Sequence, residues 1–322
     1  MKLGLALSGG GVRGIAHAGV LRALEENNIK VDMIGGTSSG SIVASLYAMG
    51  YGPYYIYELF KKYGKEIVGI NKMTFATGVN SILLNKRLKI SGLNTGEIIE
   101  KLYDELAESK GIKTIADIKM PIAIPTVDIA ESNEYVFTNT IPPKSKNKKF
   151  YINSISVGKA VRASSSFPVV FAPCEYGTHK FLDGGTLDNV PTLQVKKLGA
   201  DKVISINFDA DTIDEESNIM DIVMKTLDVM GNKISEKSIE KSDLILTVPS
   251  DKTGLLDIEK TDKCYKLGYD TAMKNMPKIL ELVGKTKQWK IQKSEAGAKS
   301  RENSKKIEEQ IKKNKSQLTN DS

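Results

Sequence analysis

The most constraining feature of this chain is how it opens. An apolar stretch over residues 2–8 runs straight into Gly9-Gly10-Gly11, and a helical pattern carrying Ile15, Val20, Leu21 and Leu24 follows to Asn27. A second strand over 31–35, a turn over 36–38 and a helix over 38–49 come next. A β-loop-α-β-turn-α start points to an α/β fold, because parallel strands need a crossover that a helix supplies. The alternation continues with helices expected over 54–63, 95–109 (Thr95 as N-cap), 156–165, 191–199, 217–240 and 261–283. Strands are expected over 121–129, 134–138, 179–183, 202–208 and 243–248, and a polar, proline-marked loop over 142–149. Residues 53–95 carry no recognisable motif beyond their first helix, so a lid there has no signature.

Composition narrows the class. With 40% hydrophobic and 26% charged residues in 322, the chain has ample apolar surface for a core. No apolar run approaches the ~18 residues of a membrane span, and the N-terminus enters a strand without the features of a secretory signal. Cys174 and Cys264 lie far apart, so a disulfide framework is not expected and a reducing cytoplasm fits best. Residues 285–322 carry a net charge of +6 and the preceding 284 residues only +1, so the sequence pI near 9.0 belongs to the tail. Around Trp289 that tail is polar, with Ile307, Ile311 and Leu318 too thin a stripe to bury. The expected organisation is one domain over 1–284 and a basic, solvated extension over 285–322. Basic residues near an anionic bilayer contribute about 1 kcal/mol each, so the extension is a candidate for peripheral contact with the inner membrane face. Nucleic acid is not expected as a partner, and oligomeric state is unread.

Only two histidines occur, His17 and His179, which excludes a His-rich metal site and restricts any Ser-His-Asp triad to one of them. Gly36-Thr37-Ser38-Ser39-Gly40 matches G-x-S-x-G between a strand and a helix, the setting of a nucleophile elbow. A helix N-terminus at Ser38 favours the alkoxide that develops on attack. The bland alternative is a serine that caps the helix. Gly9-Gly10-Gly11-Val12-Arg13-Gly14 matches G-x-G-x-x-G, yet Asp32 stands at the start of the second strand, where it cannot serve a dinucleotide ribose. Successive glycine N–H groups at a helix N-terminus suit an oxyanion instead. Arg13 either orients that loop, meets an anionic head group, or is an ordinary surface residue. Asp183-Gly184-Gly185 ends a strand, while His179 opens the same strand about 13 Å away, too far to share a site with Asp183. His17 reads as packing, as do both cysteines. The run Ser164, Ser165, Ser166 marks a helix end, with a loop that can line a site; Asp209 and Asp211 sit past a strand's C-terminal end, the functional side of such sheets, yet read as solvated turn residues.

Taken together, these elements resemble the patatin-like phospholipase family, in its compact bacterial form. The glycine loop, the elbow and the Asp183 turn come in the family's order and approximate spacing. The likeness extends to His17-Ala18-Gly19-Val20-Leu21, to Ala163-Ser164-Ser165-Ser166-Phe167-Pro168 and to Asp188-Asn189-Val190-Pro191. It covers residues 1–210 well and 211–283 loosely. The resemblance implies a three-layer α/β/α fold with a mostly parallel central sheet, and a lipid acyl hydrolase of phospholipase A or lysophospholipase type acting on phospholipid or another lipid ester. It further implies Ser38 as nucleophile, Asp183 as base, and the amides of Gly9, Gly10 and Gly11 as oxyanion hole. Val12, Arg13, Gly14, Gly36, Gly40, Gly184 and Gly185 support them. Such a Ser-Asp dyad requires no metal or organic cofactor. Rival classes are a conventional α/β-hydrolase, which would need a histidine late in the chain, a nucleotide-binding module using residues 9–14, and a catalytically idle lipid-binding protein.

Overall fold

The structure, a computed structural model, describes residues 1–68, 94–143, 145, 147–168, 170–209 and 219–286. Asp211, Trp289 and the extension beyond Thr286, together with most of the 53–95 stretch, lie outside the described residues. The chain divides into two compact units, Met1–Asn275 and Met276–Ser322. The site below lies in the first.

Among the described residues nine strands form one sheet. At its centre β1 (Leu3–Leu7) runs parallel to β2 (Met33–Gly36) on one side and to β8 (Lys202–Phe208) on the other, and β9 (Leu244–Val248) extends the β8 edge. All five residues of β1 are buried, as expected of a strand covered on both faces. On the other flank β3 (Ile122–Asp128) pairs parallel with β2 and antiparallel with β4 (Asn133–Thr138), which carries the short β5 (Tyr151–Ile152). A hairpin of β6 (Cys174–Tyr176) and β7 (His179–Asp183) completes the sheet.

Helices cover both faces. The short α6 (Thr192–Lys197) packs on β1, β2 and β8, its Val195 sharing a core with Ala6, Met33, Ala123, Val136 and Val203. Packed beside α6 is α7 (Ile219–Ile239). The opposite face carries α1 (Ala16–Glu26), the almost wholly buried α2 (Ser39–Ala48) and α5 (Val157–Ser164). Farther out lie α3 (Pro53–Val68) and α4 (Glu97–Glu108), and α8 spans Thr261–Leu282. This is the mostly parallel, three-layer α/β/α arrangement. No helix among the described residues is long and apolar enough to cross a membrane.

Three local expectations need correction. The first helix begins as a 3-10 turn over Gly11–Ile15, because the glycine loop enters it with Gly11 at φ 58°. Thr95 is not the N-cap of α4; left-handed Gly96 holds that place, its N–H taking the Asn94 side-chain oxygen at 2.8 Å. The 142–149 loop gives way to a 3-10 turn and β5, too short for any periodic signal.

The sheet's register explains the site. Gly4 pairs with Met33 and Leu7 with Gly36, so β1 and β2 end together and release the glycine loop and the Ser38 turn side by side. β3 is longer than β2. Past Ala123, the last β3 residue on β2, its same edge is taken up by β7, which runs the other way and sets Asp183 opposite Thr126. An antiparallel strand thus ends where a parallel strand ends, and Asp183 meets the turn after β2.

Candidate active site

Ser38 adopts φ 52° and ψ −125°, a conformation that costs a non-glycine residue about 1–3 kcal/mol and persists only where the surroundings impose it. Those surroundings are tight backbone. A Cβ on Gly40 would stand 2.4 Å from the Leu7 carbonyl oxygen and 2.6 Å from that of Ser8, so only glycine lets α2 start this close to β1. Ser38 occupies the N-cap position of α2, but its side chain makes no capping hydrogen bond. The capping-serine alternative therefore fails, and the hydroxyl is not spent on the helix. The Ser38 N–H donates to Ser164 Oγ at 3.1 Å.

Asp183 is 1% exposed, and its Oδ1 accepts the Gly185 N–H at 2.8 Å. Its Oδ2 is buried and makes no hydrogen bond of normal geometry. Burial pushes the carboxyl up to about 7, against smaller downward pulls from the Ser38 hydroxyl and the Gly185 N–H. The Ser38 hydroxyl thus stands near the Asp183 carboxyl. The Asp183 N–H donates to the Ser166 carbonyl at 3.1 Å.

The glycine loop is asymmetric. The Gly9 N–H is taken by Asn189, whose backbone oxygen lies at 3.2 Å and whose side-chain oxygen lies at 3.1 Å. The N–H groups of Gly10 and Gly11 have no partner among the described residues. Arg13 is only 3% exposed, which removes its reading as a surface residue. Its Nε–H donates to the Gly10 carbonyl at 3.2 Å and its guanidinium lies 5.3 Å from the Phe208 ring centre, so it fixes the loop from behind. Gly14 packs on Ser39, where a Cβ would meet Oγ at 2.3 Å, and Gly184 packs likewise on the Pro125 carbonyl at 2.4 Å.

Gly9, Gly10, Gly11, Val12, Ser38, Asp183 and Gly185 line one cavity of about 160 Å³. The remaining walls are mostly apolar: Phe60 and Ile67 from α3, Ile99 from α4, Phe171 beyond α5, and Leu227 and Met230 from α7. No lysine or arginine is among its described lining residues.

The histidines stand apart. His17 is fully buried against Phe208, donates to the Ser8 carbonyl at 2.8 Å and is pushed down to about 4 by burial, so it is a neutral packing residue. His179 bonds through Nδ1 to Asp128 Oδ2 at 2.6 Å, and neither residue lines the cavity. Asp32 accepts the Leu3 N–H at 2.9 Å, at the opposite end of β1 from the glycine loop, which leaves a dinucleotide without its ribose contact. Cys174 and Cys264 are buried and unpaired. Asp209 is exposed and accepts the Ser250 N–H. No group of three His, Cys, Asp or Glu side chains among the described residues could hold a metal ion. Asn189 and Ser164 gained no role from sequence. Their signal was the Asp-Asn-Val-Pro and Ala-Ser-Ser-Ser motifs, which say nothing of contacts 180 and 126 residues away.

The chain is 29% identical to the lysophospholipase NTE1 of Scheffersomyces stipitis, over 88% of its own length and 19% of that protein. It is 31% identical to the lysophospholipase NTE1 of Candida glabrata, over 67% of its length and 11% of that protein. The chain thus spans about a fifth or less of these curated relatives. Similar solved structures include VipD from Legionella pneumophila (TM-score 0.43, 16% identity, 85% of this chain and 66% of that one). Another is a chain of the ExoU–SpcU complex from the type III secretion system of Pseudomonas aeruginosa (TM-score 0.45, 18% identity, 87% and 52%). The sequence profile of patatin-like phospholipases matches residues 5–196, well over half of the chain, and the chain belongs to that family.

Proposed function

We propose that the chain hydrolyses carboxyl esters of lipids through a Ser38–Asp183 dyad. The observation that carries this is a strained serine, its hydroxyl not spent on capping the helix, sharing a mostly apolar cavity with a buried aspartate whose carboxyl is pushed up to about 7. Ser38 Oγ attacks the acyl carbon while its proton passes to Asp183, and the carbonyl oxygen becomes an oxyanion facing the free N–H groups of Gly10 and Gly11. Collapse breaks the bond to the alkoxy oxygen, which takes the proton from Asp183 and leaves as the alcohol. Water then cleaves the acyl-enzyme by the same steps. Positioned base catalysis contributes about 10²–10⁴-fold and each oxyanion donor about 10²–10³-fold. The apolar walls suit the acyl chain.

A fluorophosphonate probe should label the protein, and peptide mass analysis should find the adduct on Ser38. An adduct on Ser39, Ser41 or the Ser164–Ser166 run would sink the assignment. Profiling the products released from a mixed lipid extract would then name the ester.

The pH profile tests the base. Asp183 acts when unprotonated, so kcat/KM should fall about tenfold per unit below pH 7 and level off above it. A limb near the ordinary carboxylate range, around pH 4, would show that burial does not raise the carboxyl of the base.

A further inference from the structure

Ser165 is the one residue of the Ala-Ser-Ser-Ser run with no structural use for its side chain. Its neighbours are both engaged with the candidate dyad: Ser164 Oγ accepts the Ser38 N–H, and the Ser166 carbonyl accepts the Asp183 N–H. The segment is clamped from behind by Arg162, 4% exposed, which donates to the Thr95 and Ala172 carbonyls at 2.5 and 2.6 Å and to the Ser166 hydroxyl. Ser165 is therefore suspended between two fixed points, one on each member of the dyad. It lines the same cavity as Ser38 and Asp183, is 5% exposed, and its Oγ has no hydrogen-bond partner among the described residues. A buried hydroxyl without a partner is destabilising, so packing alone gives no reason to hold one there.

We propose that the Ser165 hydroxyl is a substrate-contacting group that donates a hydrogen bond to the alkoxy oxygen of the scissile ester. This rests on the Ser38–Asp183 reading. The carbonyl oxygen has its donors on the glycine-loop wall, at Gly10 and Gly11. The alkoxy oxygen must lie near Asp183, because that carboxyl returns the proton taken from Ser38. Ser165, held between the two, borders that path. As the C–O bond breaks, negative charge grows on the alkoxy oxygen; Asp183 delivers the proton to it, and Ser165 stabilises it while keeping its own proton. The contribution therefore scales with how poor the leaving group is.

The test compares two esters of the same short acyl acid, one with a p-nitrophenol leaving group and one with an alkyl alcohol, on wild type and Ser165→Ala. The p-nitrophenolate departs readily without help, whereas an alkoxide does not. Turnover of the alkyl ester should fall about 10–100-fold, with the aryl ester within threefold of wild type, and Tm should equal or exceed that of wild type because an unsatisfied hydroxyl has been removed. Ser165→Cys, which keeps the volume but donates weakly, should show the same split. Equal loss on both esters, or no loss on either, overturns the assignment, and so does a marked fall in Tm, which would give the hydroxyl a structural partner. Failure of the underlying reading looks different: wild type would hydrolyse neither ester, or the fluorophosphonate adduct would lie away from Ser38.

Discussion

Replacing Asp183 by Asn is expected to lower ester turnover 10²–10⁴-fold and, at pH 8, to make the protein more stable. The two effects share one cause. In the fold, burial raises this carboxyl to about 7, whereas in the unfolded chain it returns to the ordinary ~3.9. Between those values the folded state holds a proton that the unfolded state has released, so this group's contribution to stability falls as pH rises through the interval. Above pH 7 the wild type carries the full penalty of a buried charge, about 4 kcal/mol for a shift of this size. Asparagine keeps the shape and still accepts from Gly185 N–H, but carries no charge and takes no proton. Thermal melts at pH 8 should therefore place Asp183→Asn roughly 5–10 °C above wild type, with the gap closing towards pH 4. An inactive variant with the same Tm at both pH values would mean that the carboxyl is solvated, and the elevated pKa in the rate profile would have to come from elsewhere. The conjunction of lost turnover and gained stability is what separates a base kept charged for chemistry from an aspartate kept for structure.

What sequence made legible is what glycine and serine do locally. The strand, glycine loop and helix over residues 2–27 and the turn over 36–40 depend on contacts a few residues apart, so their chemistry is written in the segment itself. The family resemblance implies an aspartate base and the scarcity of histidine agrees with it, while the distance along one strand separates His179 from Asp183. What stayed hidden depends on tertiary pairing. The place of β7 follows from β3 outlasting β2 on the same edge, and neither strand announces its length relative to the other. The capture of the Gly9 N–H by Asn189 joins residues 180 apart and leaves Gly10 and Gly11 as the donors without a partner among the described residues, in a loop that looks uniform in sequence. Arg13 shows the same limit: an arginine one turn into a helix looks solvent-facing until Phe208, at the end of β8, comes to lie beneath it.

Gly40→Ala is expected to be among the most damaging single-methyl additions in the chain, destabilising it by about 3 kcal/mol and lowering ester turnover by at least about 10²-fold. The new Cβ would need to occupy space 2.4 Å from the Leu7 carbonyl oxygen and 2.6 Å from that of Ser8. Neither oxygen can yield cheaply. Leu7 O accepts the Thr37 N–H at 3.1 Å and Ser8 O accepts from His17 at 2.8 Å, so a retreat of β1 would break bonds that hold the elbow and the helix behind it. The alternative is for α2 to move away from the sheet. That motion carries its N-terminal residue with it, and Ser38 would leave both Ser164 and Asp183. Urea unfolding and ester turnover should therefore fall together. Gly52→Ala is the matched control, because nothing lies within 4 Å of its added methyl and its backbone angle is ordinary; it should stay within about 0.5 kcal/mol of wild type and keep full activity. If Gly40→Ala behaved like Gly52→Ala, α2 would have room to start elsewhere, and the strained geometry of Ser38 would not be imposed by the sheet beneath it.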